Sequence, residues 1–90
     1  MIRKKHIALV EYLADMVGCE FISDLPFEVA AGNPKVEMEL GKIDPRTYSL
    51  RDWNDALEYL VHKSGQETVE TAYLVLMQEL QNICAAQVKE

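Results

Sequence analysis

Apolar residues recur along the first part of the chain at Ile2, Ile7, Leu9, Val10, Leu13, Met16 and Val17, with Lys4, Glu11 and Asp15 on the far side. This spacing follows the α-helical turn and predicts an amphipathic helix from about Ile2 to Val17, stopped by Gly18. A second stripe of Leu50, Trp53, Ala56, Leu57, Leu60 and Val61 predicts a helix with Arg51, Asp52, Asn54, Asp55 and Glu58 turned to water. Ser49 stands at its N-cap, Asp52 takes the place of Glu in a capping box, and Ser64-Gly65 ends it. Trp53 shares the face of Leu50, Leu57 and Leu60 and is the expected core anchor. A third stripe, Val69, Ala72, Tyr73, Leu76, Leu80, Ile83 and Cys84, predicts a last helix from about Glu67 to Val88, roughly 33 Å long.

The middle of the chain is harder to read. Between Cys19 and Gly32, Ser23 and Asp24 can cap a short helix with Pro26 in its first turn, and Gly32-Asn33 can end it. One or two turns around Phe27 to Ala31 follow, with Leu25, Phe27, Val29 and Ala30 needing a surface to dock on. From Asn33 to Ile43 two patterns compete. Val36, Met38 and Leu40 alternate with Lys35, Glu37 and Glu39 as in a half-buried strand. Asn33-Pro34 is equally a helix start, and Val36, Leu40 and Ile43 form a helical stripe. The short helix is favoured, because a strand here would have only Cys19 to Ile22 as a partner. Asp44-Pro45-Arg46-Thr47 reads as a turn. The expected fold is one all-α domain spanning residues 1–90, a small helical bundle of three main helices plus one or two short ones, with a two-stranded pairing as the variant.

Size sharpens this picture. The chain has 90 residues, 49% of them hydrophobic and 27% charged, the balance of a folded domain with a single core. A core this small supports a stability of about 5 kcal/mol, so self-association would be a natural supplement.

Two cysteines, Cys19 and Cys84, are too few for a disulfide scaffold and read as free, largely buried thiols of a cytoplasmic protein. Arg3, Lys4 and Lys5 followed by an apolar run ending at Gly18-Cys19 imitate a lipoprotein signal. Glu11 and Asp15 interrupt that run, and a carboxylate inside an inserting segment is strongly unfavourable. No stretch approaches a membrane span.

Chemistry-bearing motifs are absent. Cys19, Cys84, His6 and His62 have no metal-ligand spacing, so no metal and no cofactor is expected. The four glycines are scattered and form no phosphate loop. No nucleophile, base and orienting group share a recognisable pattern, and the chain is read as non-enzymatic. The last two helices outline a helix-turn-helix, which makes a nucleic-acid-binding regulator the alternative function. Glu67 and Glu70 at the start of the would-be recognition helix, and a net charge of -6, weigh against it.

Two surface features remain. Asp52, Asp55 and Glu58 form an acidic row at helical spacing, a candidate docking face for a basic partner. Ala72 to Met77 is apolar right round the helix. Leu74, Val75, Met77 and Cys84 fall on its flanks and are the candidate interface residues of a homodimer or of a contact with another protein. The sequence therefore points to a small acidic interaction or regulatory domain that acts through helical surfaces, with itself or a second protein as partner.

Overall fold

The computed structural model describes residues 8–87, and every regular element among them is helical. The order is α1 (Leu9–Val17), a 3-10 turn (Ile22–Asp24), α2 (Leu25–Ala30), α3 (Pro34–Gly41), a second 3-10 turn (Pro45–Thr47), α4 (Leu50–Ala56), a π-helical turn (Leu57–Val61) and α5 (Val69–Gln87). The expected Ile2–Ile7 part of the first helix, with Arg3, Lys4, Lys5 and His6, lies outside the described residues.

Local signals set most boundaries. Glu11 Oε1 accepts the Ala8 N–H at 3.2 Å at the start of α1. At its end Gly18 takes φ 95°, and the Cys19 N–H reaches back to the Ala14 carbonyl at 2.8 Å, closing the helix with a left-handed residue. Asn33 caps α3 through Oδ1, which accepts from Lys35 N at 2.9 Å, with Pro34 at the first helical position. The ambiguous segment is therefore helix, and no strand pairs Cys19–Ile22 with it. Ser49 Oγ accepts from Asp52 N at 3.2 Å, and Thr68 Oγ1 accepts from Thr71 N at 3.1 Å. Asp44 Oδ1 accepts from Arg46 N at 3.0 Å and tightens the turn before α4.

The core is a single cluster to which every helix contributes: Leu9 and Leu13, Leu25 and Val29, Val36 and Leu40, Trp53 and Leu57, Leu76 and Leu80. Trp53 is fully buried, donates from Nε1 to the Pro45 carbonyl at 2.7 Å, and meets Tyr73 edge-on with ring centroids 5.4 Å apart. The last helix still packs on the core as far as Ile83 and Cys84 in its C-terminal half. Leu80 is buried, Ile83 packs against the core, and the Cys84 thiol approaches the Gly32 carbonyl at 3.4 Å.

Asn54, read as water-facing, is half-buried and clasps the loop before α5. Its Nδ2 donates to the Gln66 carbonyl at 3.0 Å while its Oδ1 accepts the Gln66 N–H at 2.8 Å. The amide thus stands in for a strand neighbour. It was unreadable in the pattern because its partner is twelve residues away in a loop.

Glu39 is a buried charge on α3, 6% exposed. Oε2 pairs with Lys42 Nζ at 3.3 Å, whereas Oε1 has no hydrogen-bond partner among the described residues. The ion pair is solvent-screened on the lysine side and contributes little, while an unsatisfied buried oxygen costs about 1–3 kcal/mol. Glu39→Met, which keeps length and removes the charge, is expected to raise stability by about 1–2 kcal/mol in urea unfolding. A loss of stability would show that the carboxylate is held by more than Lys42.

Candidate functional site

The residues singled out from sequence are separated by the fold. Of the four interface candidates on α5, Leu74 is 64% exposed. Val75 and Met77 pack against the core, and a side-chain atom placed on Gly41 would lie 3.7 Å from Met77 Cε. Cys84 is held at the Gly32 carbonyl. In the acidic row, Asp55 and Glu58 are exposed and Asp52 is half-buried at the start of α4.

The remaining exposed apolar surface lies elsewhere. Seven large apolar side chains are exposed among the described residues, and three of them, Phe21 (64%), Ile22 (39%) and Phe27 (74%), come from one short segment. A fourth, Tyr59, adjoins that segment, its hydroxyl donating to the Ile22 carbonyl at 3.4 Å. Phe27 and Ala30 were expected to dock with Leu25 and Val29 and do not. The reason is helical geometry. Leu25 and Val29 are four apart and share the inward face of a six-residue helix, which leaves Phe27, two positions on from Leu25, pointing the other way. The alternation of Leu25, Phe27 and Val29, incompatible with one helical face, was the available signal.

Two concave features flank this segment. One is an open groove of about 450 Å³ between α1, the Ile22 turn and the end of α4, lined by Ala8, Val10, Glu11, Ile22, Asp55 and Tyr59. Its floor is apolar, and among the described residues the charged groups lining it are the carboxylates of Glu11 and Asp55. The other, about 330 Å³, lies behind α2 and is lined by Cys19, Glu20, Asp24, Phe27 and Glu28 together with Val17, Gly18 and Asn33. Here Asn33 Nδ2 donates to Glu28 Oε1 at 2.9 Å. A third hollow, also about 330 Å³, sits beside the Tyr12 and Tyr48 rings, whose centroids are 6.4 Å apart. Burial, then Tyr12 and Asp52, push the Tyr48 hydroxyl up in pKa.

The groups that could do chemistry are subdued. Both cysteines are free and half-buried, rather than the largely buried thiols expected. Burial pushes the Cys19 thiol up, reinforced by Glu28 and Asp24, and burial with Glu37 does the same for Cys84. A raised pKa keeps a thiol protonated near neutrality, the weakly nucleophilic form. No group of three His, Cys, Asp or Glu side chains suited to hold a metal ion occurs among the described residues. His62 is exposed and takes φ 59° at the end of the π turn, a left-handed helix stop. No helix among the described residues is long and apolar enough to cross a membrane.

Comparison with known proteins adds no likeness: no family model, curated protein or solved structure matches the chain.

Proposed function

We propose that this domain is a non-enzymatic interaction module that binds another protein through helical surfaces. The observation that carries the reading is the exposure of Phe21, Ile22, Phe27 and Tyr59, four large apolar side chains left to solvent on one short segment and the turn that adjoins it. A small monomeric domain seldom leaves several such groups together unless they meet a partner. Subdued thiols and the absence of a mechanistic motif make catalysis the weaker reading. Glu67 just ahead of α5 and Glu70 in its first turn, the latter already paired to Arg46 at 3.4 Å, weigh against duplex DNA, whose phosphates would meet them.

Photo-crosslinking residues installed singly at Phe21 and Phe27 in the native host are expected to give discrete adducts, those from Phe27 disappearing in a Phe21→Ser/Ile22→Ser background. Absence of adducts from both Phe21 and Phe27 would reject the reading.

Self-association through α5 is a second reading, favoured by the 64% exposure of Leu74. Because Val75, Met77 and Cys84 also serve the fold, Leu74→Glu alone is the clean probe. Light scattering after size exclusion is expected to show a dimer that this substitution dissociates. A wild-type chain that stays monomeric at high micromolar concentration rules the homodimer out.

A further inference from the structure

We infer that the open groove between α1, the Ile22 turn and the end of α4 receives the apolar face of a basic amphipathic helix from a partner protein. The inference rests on the interaction reading above and specifies its ligand.

The first argument is chemical. Val10, Ile22 and Tyr59 form an apolar floor, and among the described residues the charged side chains on the lining, Glu11 and Asp55, are both anionic. Glu58 extends the Asp55 face at helical spacing and is exposed. Covering these carboxylates with a neutral or acidic partner would strip their water without return, whereas lysine or arginine at the edge of the ligand offsets that cost.

The second argument concerns the backbone of the ligand. The groove walls are helices and a turn, and no strand edge is exposed among the described residues. An extended peptide would therefore lay unpaired N–H and C=O groups on an apolar floor. A helix satisfies its own backbone and presents only side chains, at i, i+3, i+4 and i+7.

The third argument separates this occupant from a second copy of the chain. With 15 acidic against 9 basic residues, two copies meeting across this groove would bring Glu11 and Asp55 against a net-negative surface. The groove is also remote in sequence from Leu74, the exposed large apolar residue of α5 among the described residues.

The probe is a synthetic peptide about four helical turns long, with leucine at helical spacing and lysine elsewhere. Two controls accompany it, one with glutamate in place of lysine and one with serine in place of leucine. Backbone-amide shift mapping is expected to centre the lysine–leucine peptide on Val10, Ile22, Asp55 and Tyr59. Anisotropy titration should show Asp55→Lys weakening it at least about tenfold. Glu67→Lys, the same charge change ahead of α5, should alter it by less than about twofold, and raised salt should weaken binding progressively.

Equal weakening by Glu67→Lys reduces the effect to general charge and overturns the proposal. Equal binding of the glutamate peptide in the groove removes the basic partner while leaving the interaction reading intact. Equal binding of the serine control removes the apolar floor from the account. If Arg3→Ser/Lys4→Ser/Lys5→Ser moves the groove resonances as the peptide does, the occupant is the chain's own basic segment and the proposal falls. A groove untouched by all peptides also rejects it, whereas the crosslinks from Phe21 and Phe27 judge the broader reading separately.

Discussion

Trp53→Ala is expected to leave the chain largely unfolded at room temperature. The indole is fully buried, packs edge-on against Tyr73 of α5, and donates to the Pro45 carbonyl at 2.7 Å. One side chain thereby ties α4 to α5 and to the turn that precedes it. Removing a large buried aromatic costs about 3–5 kcal/mol, comparable to the roughly 5 kcal/mol a domain of this length can hold. The Pro45 carbonyl also loses its donor, which adds to the loss. Trp53→Phe retains most of the apolar contact and gives up the hydrogen bond, so it should fall between, about 1–3 kcal/mol below the parent. Thermal melts followed by far-ultraviolet circular dichroism check both. An alanine variant melting within a few degrees of the parent would refute the role assigned to Trp53.

Asn54→Ala is expected to cost about 2 kcal/mol, a large fraction of the total for a single half-buried polar side chain. The amide makes both hydrogen bonds that the Gln66 backbone would otherwise seek from water or a strand. Asn54→Asp keeps the acceptor, loses the donor and sets a negative charge beside the Gln66 carbonyl, so it should not rescue. Gly65→Ala attacks the same clasp from the other side, because its added carbon would stand 2.9 Å from Asn54 Cγ. The two substitutions should therefore be non-additive: Gly65→Ala costs less once Asn54 is alanine, since the two nearest atoms are gone and only the Cβ at 3.3 Å remains to give way. Urea unfolding of the four-member cycle measures this directly, and strict additivity would show that the clasp is not what Gly65 protects.

The sequence was most informative where a long periodic stripe coincided with a capping signal. Leu9, Leu13, Trp53, Leu57, Ala72, Leu76 and Leu80 were all assigned to inward faces and are all buried. Ser49 and Asn33, read as caps, each accept a backbone N–H. Short-range pattern failed where a tertiary partner decided the outcome. Asn54 looked like surface because Gln66 is distant in the chain, and Glu39 sits buried within a helix whose alternating charges suggested an open face. Phe27 was expected to dock because it is apolar, yet a two-turn helix has only one inward stripe and Leu25 and Val29 already occupy it. The candidate groove was legible in part. Asp55 and Glu58 stood out as an acidic row, but its neighbours Ile22 and Tyr59 belong to elements whose proximity is a property of the fold alone.

The π turn at Leu57–Val61 bears on how such a surface can change over generations. Bonding from each residue to the fifth beyond it, rather than the fourth, takes up extra chain without adding a full α-helical rise. Glu58 is the natural residue to lose from it, being exposed and outside the core. A one-codon deletion there would tighten the turn toward ordinary α-helix and shift Tyr59 on the groove wall. Trp53 and Ala56, which precede the turn, would keep their places, and the Asn54 clasp could still hold Gln66. Insertions and deletions are usually confined to loops. Here a helix offers lineages a way to reshape a surface groove by changing chain length, without exchanging any side chain of the core.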